Sequence, residues 1–124
     1  MSPNILLQIE KTIQENGLLN ADETVKFIRL LKDFKKGEIL NPGAVMRHMK
    51  LTTEKSYKLF EALKSIGTLS ENFELYCHEC SKYHHKLYEY YADIPEYEEC
   101  EGCFEKLTRP ANVIVVYKVI NDGE

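Results

Sequence analysis

Apolar residues recur every three to four positions through roughly the first seventy residues, then alternate or run together to the end of the chain. Residues 4–16 place Ile5, Ile9 and Ile13 four apart, the repeat of one helix face, and Gly17 follows as a stop. A second helix is predicted from a cap at Asp22 to about Lys36, closed by Gly37. Val25, Phe27, Ile28, Leu31 and Phe34 would face inward, with Lys26, Arg29, Lys32 and Lys36 on the other side as a solvated face. Asn41-Pro42 opens a third helix, with Asn as cap and Pro in the first turn. Leu51-Thr52-Thr53 interrupts the pattern and re-caps a fourth helix. That helix carries Leu59, Phe60, Leu63 and Ile66 on its apolar side and stops at Gly67.

Beyond Gly67 the repeat shortens to two, the period of a strand. Thr68-Leu69-Ser70 leads through Glu71-Asn72 into the alternating Phe73–Cys77, which reads as a hairpin with its tip at Ser70-Glu71-Asn72. Residues 84–92 alternate as a strand, and Asp93-Ile94-Pro95 turns the chain back. Residues 112–120 are apolar on both faces, as in a central or covered strand, expected to pair with the ribbon strands and to pack against a helix or a second protomer. Helices followed by strands give an α+β class.

Chemistry enters with the four cysteines. Cys77, Cys80, Cys100 and Cys103 form two Cys-x-x-Cys pairs separated by 19 residues. Two residues between thiols let one tight turn aim both sulfurs at a point, and two such turns complete a tetrahedron of thiolates at about 2.3 Å from a zinc ion. The intervening length suits two short strands and a turn, so the pattern reads as a zinc ribbon holding structural Zn(2+). Iron in a rubredoxin-type site would use the same ligands. Two disulfides would need a secreted chain, and a redox pair would need a βαβ context that neither motif has. Gly often follows the second Cys of such a turn; Ser81 and Phe104 stand there instead. Four thiolates leave no open position, so the metal is structural and not catalytic. His78, His84 and His85 lie nearby in sequence and read as surface or supporting residues.

The run from Leu51 to Leu69 (LTTEKSYKLFEALKSIGTL) resembles the recognition-helix stretch of the winged helix-turn-helix superfamily, where a capping Thr opens the helix and Leu-x-x-x-Gly closes it. The resemblance covers residues 39–77 and is generic. It implies Thr53, Lys55, Tyr57 and Lys58 at base edges in the major groove, and Arg47, His48, Lys50 and Lys64 on the phosphate backbone. Against that stand Glu54 and Glu61 on the exposed side of the same helix and a tip without Lys or Arg. Winged helices also serve as protein–protein modules, and Tyr57 is equally suited to a hydrophobic seam.

Charge separates the chain into two poles. Residues 25–65 carry ten basic groups against four acidic ones, whereas residues 66–105 carry two against ten, within a net charge of −4. Six of the eight tyrosines lie between residues 76 and 97, namely Tyr76, Tyr83, Tyr88, Tyr90, Tyr91 and Tyr97. Tyr88, Tyr90, Tyr91 and Tyr97 are the candidates for a protein-binding surface, or for a small sheet core in a chain without Trp. The balance of 44% hydrophobic and 29% charged residues is that of a globular chain. No apolar run approaches the roughly 20 residues of a membrane span, and the N-terminal residues lack a basic start, so the expected location is cytoplasmic. No Gly-rich phosphate loop or Ser/His/Asp set occurs, and no enzyme is expected.

The expected organisation is a winged helix-turn-helix domain over residues 1–76 and a zinc ribbon with a C-terminal strand over residues 77–124, joined without a linker. A winged helix followed by a four-cysteine ribbon is similar in order to the alpha subunit of general transcription factor E of archaea and eukaryotes, in which a longer connection separates the modules. The functional expectation is a DNA-linked regulatory or assembly protein, its basic helices on double-stranded DNA and its acidic ribbon on a protein partner or a second copy. The alternative is an adaptor subunit of a larger complex that uses both modules for protein contacts; an iron electron carrier is a third reading.

Overall fold

The first helix, α1 (Pro3–Glu15), follows its isoleucine spacing: Ile5, Ile9 and Ile13 are buried on one face, Ser2 caps the start, and Pro3 sits in the first turn. Gly17 follows with a φ of +58°, a conformation that costs a side-chain-bearing residue free energy. The computed structural model describes the backbone of residues 1–124 and all side chains except those of Lys82, Tyr83, His84 and His85. The expectations placed on Tyr83, His84 and His85 therefore fall outside the described side chains.

The second helix, α2 (Ala21–Leu31), starts and stops earlier than the sequence predicts. Its cap is Asn20, not Asp22: Asn20 accepts the Glu23 N–H at 2.8 Å, and the Glu23 carboxylate accepts the Asn20 N–H at 3.0 Å. It ends at Leu31, not near Lys36: the Lys32 N–H still reaches the Ile28 carbonyl at 3.1 Å, the Phe34 N–H tightens onto the Leu31 carbonyl at 3.0 Å, and the donors that follow bond outside the helix. The Lys35 N–H goes to the Glu38 carboxylate at 2.9 Å, that of Lys36 to Asp122 at 2.9 Å, and that of Gly37 to the Val119 carbonyl at 2.8 Å. Thr24, Phe27 and Leu31 form the buried stripe; Val25, expected inward, lies one position off it and is 53% exposed.

Strand β1 (Ile39–Leu40) precedes α3 (Pro42–Met49), whose cap Asn41 accepts the Ala44 N–H at 3.2 Å. Helix α4 (Thr53–Ser65) is capped by Thr52, which accepts the Lys55 N–H at 3.1 Å, and it buries Ser56, Leu59, Phe60 and Leu63. Six more elements were read less completely from sequence: β2 (Leu69–Cys77), β3 (Lys82–Tyr88), a 3-10 turn (Tyr91–Asp93), β4 (Glu98–Glu99), β5 (Lys106–Leu107) and β6 (Val113–Val119). The expected hairpin tip at Ser70-Glu71-Asn72 is instead the interior of β2, with Asn72 only 3% exposed; the reversal comes after Cys77. The strand read over residues 84–92 lies over Lys82–Tyr88, since Tyr91–Asp93 coils into the 3-10 turn.

The sheet order is β1-β6-β2-β3, and β4-β5 form a separate hairpin. β6 lies between β1 and β2, not beside the β4–β5 hairpin as a strand of the ribbon, and it buries Val116, Tyr117 and Val119 while Val115 is exposed. The architecture is mixed α+β.

The chain divides into two units. The first comprises Met1–Ser70 with Tyr117–Glu124, and the second Glu71–Val116. This differs from the division at residue 76 because Tyr117 and Val119 pack into the helical core. There Phe60 stacks on Tyr117 at 4.8 Å and meets Phe27 edge-on at 6.4 Å. The second unit has a small core of Leu75, Tyr88, Ile94 and Leu107 together with two cysteines, Cys77 and Cys100. Among the described residues no helix is long and apolar enough to cross a membrane.

Candidate metal centre

Cys77 ends β2 and Cys80 lies in the turn that leads to β3; Cys100 follows β4, and Cys103 lies in the turn before β5. Two hairpin ends therefore supply two sulfurs each. The four Sγ atoms lie within 4.8 Å of one another, with Cys77–Cys103 at 3.5 Å and Cys80–Cys100 at 3.4 Å. A disulfide would require about 2.05 Å. A tetrahedron with metal–sulfur bonds of about 2.3 Å has edges of about 3.8 Å, inside the observed range. Cys77 and Cys100 are each 1% exposed, Cys80 is half-buried and Cys103 is exposed.

Both turns share a backbone device. Ser81 has a φ of +56° and Phe104 a φ of +63°, so the residue after the second cysteine of each pair is left-handed although neither is Gly. In the second turn the Phe104 N–H donates to the Cys100 carbonyl at 2.7 Å, and the Cys100 N–H to the Glu105 carbonyl at 2.9 Å. The missing glycines thus do not prevent the turn, and at Phe104 the left-handed backbone is accompanied by the two hydrogen bonds of the Cys100–Glu105 turn.

Sulfurs this close cannot all be anionic without a cation. With thiols alone, contact with the Cys100 sulfur, followed by burial, pushes Cys80 up to about 12. A bound cation reverses that balance by favouring thiolates. The donor set fits a soft or borderline divalent ion such as zinc or iron, and four sulfurs fill every position of a tetrahedral ion. His78 takes no part: its ring Nε2 lies 2.9 Å from the Ala111 carbonyl.

The residues expected on DNA lie in the first unit. Arg47, His48 and Lys50 are exposed at the end of α3, where Lys50 is itself left-handed at φ +55°. Thr53 and Tyr57 are exposed on α4, Tyr57 at 64%. The lysines of α4 are engaged with carboxylates. Lys55 meets Glu23 at 2.9 Å, Lys58 meets Glu54 at 3.0 Å, and Lys64 meets Glu61 at 3.9 Å. Glu23 is the residue that the sequence reading missed. Its Asn-x-x-Glu capping pattern was visible, but its pairing with a lysine 32 positions away was not.

Of the tyrosines expected on a partner, Tyr90, Tyr91 and Tyr97 are exposed, whereas Tyr88 is only 8% exposed and belongs to the core of the second unit. Tyr88 alternates with exposed Glu89 along the chain, and the inward position of that alternation is its own. Tyr91 lies edge-on to Phe73 at 5.8 Å and under the Arg109 guanidinium at 5.5 Å. The Tyr97 hydroxyl donates to Glu99 at 2.7 Å, which holds the phenol above its ordinary range, and Lys106 sits 5.1 Å over its ring. Sequence reading also missed Phe104, 74% exposed beside the metal centre.

No protein-family model, curated protein or solved structure matches this chain.

Proposed function

We propose that the chain is a non-enzymatic assembly module in which a structural zinc ion, held by Cys77, Cys80, Cys100 and Cys103, fixes an acidic, aromatic unit for docking on a basic protein surface. The observation that carries this reading is the pairing of the α4 lysines. Lys55 and Lys58 are each within 3.0 Å of a carboxylate of the same chain, so the helix has little net charge to offer phosphates. The second unit carries four cations against ten carboxylates and exposes Tyr90, Tyr91, Tyr97 and Phe104, a combination suited to basic protein partners. A closed four-sulfur site offers no open position for a substrate or a water nucleophile, which supports a structural role.

A winged-helix reading of the first unit is supported by element order. Helix α2, strand β1, helices α3 and α4, and strands β2 and β6 follow in sequence, and the three strands run β1-β6-β2. The cysteine-bearing segment then joins β2 to β6, the two strands that such a reading assigns to the wing. Exposed Arg47, His48, Lys50, Thr53 and Tyr57 favour the second reading, DNA docking at the α3–α4 turn.

Fluorescence anisotropy with a labelled Lys/Arg-rich peptide and with a labelled random-sequence duplex separates the two. Protein docking gives salt-sensitive peptide binding and no duplex binding at low salt. Duplex binding lost in Arg47→Glu/Lys50→Glu but kept in Lys55→Glu supports the second reading instead and overturns the first. Elemental analysis of the purified chain is expected to give one zinc per molecule, and colour would indicate iron.

A further inference from the structure

Among the described residues Phe104 is the most exposed large apolar side chain, and its backbone is left-handed. A bulky residue at positive φ is an outlier that stores free energy, and such outliers concentrate at functional positions. Glu101 and Glu105 flank it, both exposed. The one cation of the adjoining strand, Lys106, is drawn over the Tyr97 ring. Phe104 is thus an aromatic knob with an acidic rim, and at 74% exposure the chain does not use it internally.

The complementary shape lies in the first unit. Helices α1 and α2 leave between them an open pocket of about 240 Å³, lined by Glu10, Thr24, Val25, Ile28, Arg29 and Lys32. A cavity of about 150 Å³ accepts benzene, so this volume is sufficient for a benzyl side chain. Its apolar lining is the half-buried Ile28 and Val25, the latter unexpectedly exposed at 53%. Its rim has two cations, Arg29 and Lys32, against one carboxylate, Glu10.

We propose that Phe104 of one copy seats in the α1–α2 pocket of a second copy, with Glu101 and Glu105 pairing with Arg29 and Lys32 on that pocket's rim. The inference rests on reading the second unit as a protein-docking surface, and it names the partner as the chain itself. Aromatic anchors in desolvated pockets carry most of an interface's free energy, while rim charges set the rate and salt dependence of association. One such contact leaves a knob and a pocket open, so copies either exchange reciprocally into a dimer or extend head to tail.

Sedimentation velocity of the metal-loaded chain over a concentration series, at low and high salt, tests this. The expected result is a mass that rises with concentration at low salt and less so at high salt. Phe104→Ala and, in the other unit, Val25→Asp each weaken association by roughly tenfold or more while keeping helical circular dichroism and metal content. The second variant keeps the test decisive should the first disturb the metal turn. Arg29→Glu/Lys32→Glu and Glu101→Lys/Glu105→Lys each remain monomeric alone and associate when mixed, because each then offers the other an oppositely charged contact. A wild-type chain that stays monomeric at every concentration at low salt overturns the proposal, as does association that Phe104→Ala leaves intact. Neither outcome touches the broader reading, which the peptide titration decides independently.

Discussion

Lys55 Nζ lies 2.9 Å from Glu23 Oε1, which ties the first turn of α4 to the capping box of α2. The same carboxylate accepts the Asn20 N–H, so one side chain both starts a helix and neutralises a lysine on another. Glu23 is held below the usual carboxylate range, first by the Asn20 N–H and then by Lys55. Lys55 is therefore a structural lysine before it is a ligand-binding one.

Glu23→Ala, which removes the oxygen that accepts the Asn20 N–H, is expected to destabilise the first unit by about 1 kcal/mol, the usual worth of a capping interaction. Lys55→Ala should cost less, since the pair is partly exposed. Urea denaturation midpoints followed by helical circular dichroism check the order; a larger loss for Lys55→Ala would mean that the ion pair, not the cap, matters more.

Asp122 accepts the Lys36 N–H at 2.9 Å and the Glu124 N–H at 3.0 Å. The Lys36 N–H is the first cause of a carboxyl held below its ordinary range. A carboxylate whose pKa is depressed by folding stabilises the fold fully above the unfolded value, and that contribution is lost as the pH falls through the folded value. Asp122→Asn should therefore lower the melting temperature at neutral pH and flatten its fall on acidification. An acid limb identical to that of the wild type would show that Asp122 does not contribute to it.

The core of the first unit contains no cysteine, whereas Cys77 and Cys100 are part of the second. Cys80→Ser should release the metal and unfold the second unit while most helical signal persists. Circular dichroism and elemental analysis read this out together. Metal retained in full after the substitution would require a different ligand set.

Phe60 lies between Phe27 and Tyr117 and is 1% exposed. Phe60→Ala should cost about 3–5 kcal/mol, a large part of the stability of a small domain. Phe60→Leu, which leaves a smaller cavity, should cost clearly less. Equal denaturation midpoints for the two variants would mean that the lost ring contacts, which both variants remove, outweigh the difference in cavity size.

The Tyr88 hydroxyl is buried and finds no hydrogen-bond partner among the described residues. Tyr88→Phe removes that unsatisfied group and is expected to be neutral or stabilising by about 1 kcal/mol, whereas Tyr88→Ala opens a cavity and destabilises. A marked loss of stability in Tyr88→Phe would reveal a partner for the hydroxyl.

What the sequence determined by itself was everything carried by near neighbours. Isoleucines four apart gave α1, Asn41-Pro42 and Thr52 gave the starts of α3 and α4, and two Cys-x-x-Cys pairs gave a four-sulfur cluster. Helix periodicity, capping and metal-turn geometry act over two to four residues, so they are written locally. What only the tertiary structure decided involved partners far along the chain. Asp122 and Val119 accept the Lys36 and Gly37 N–H groups beyond the end of α2, Glu23 neutralises Lys55, and Tyr117 and Val119 return to the helical core. Local propensity is silent on such contacts, because their free energy exists only once distant segments have been brought together.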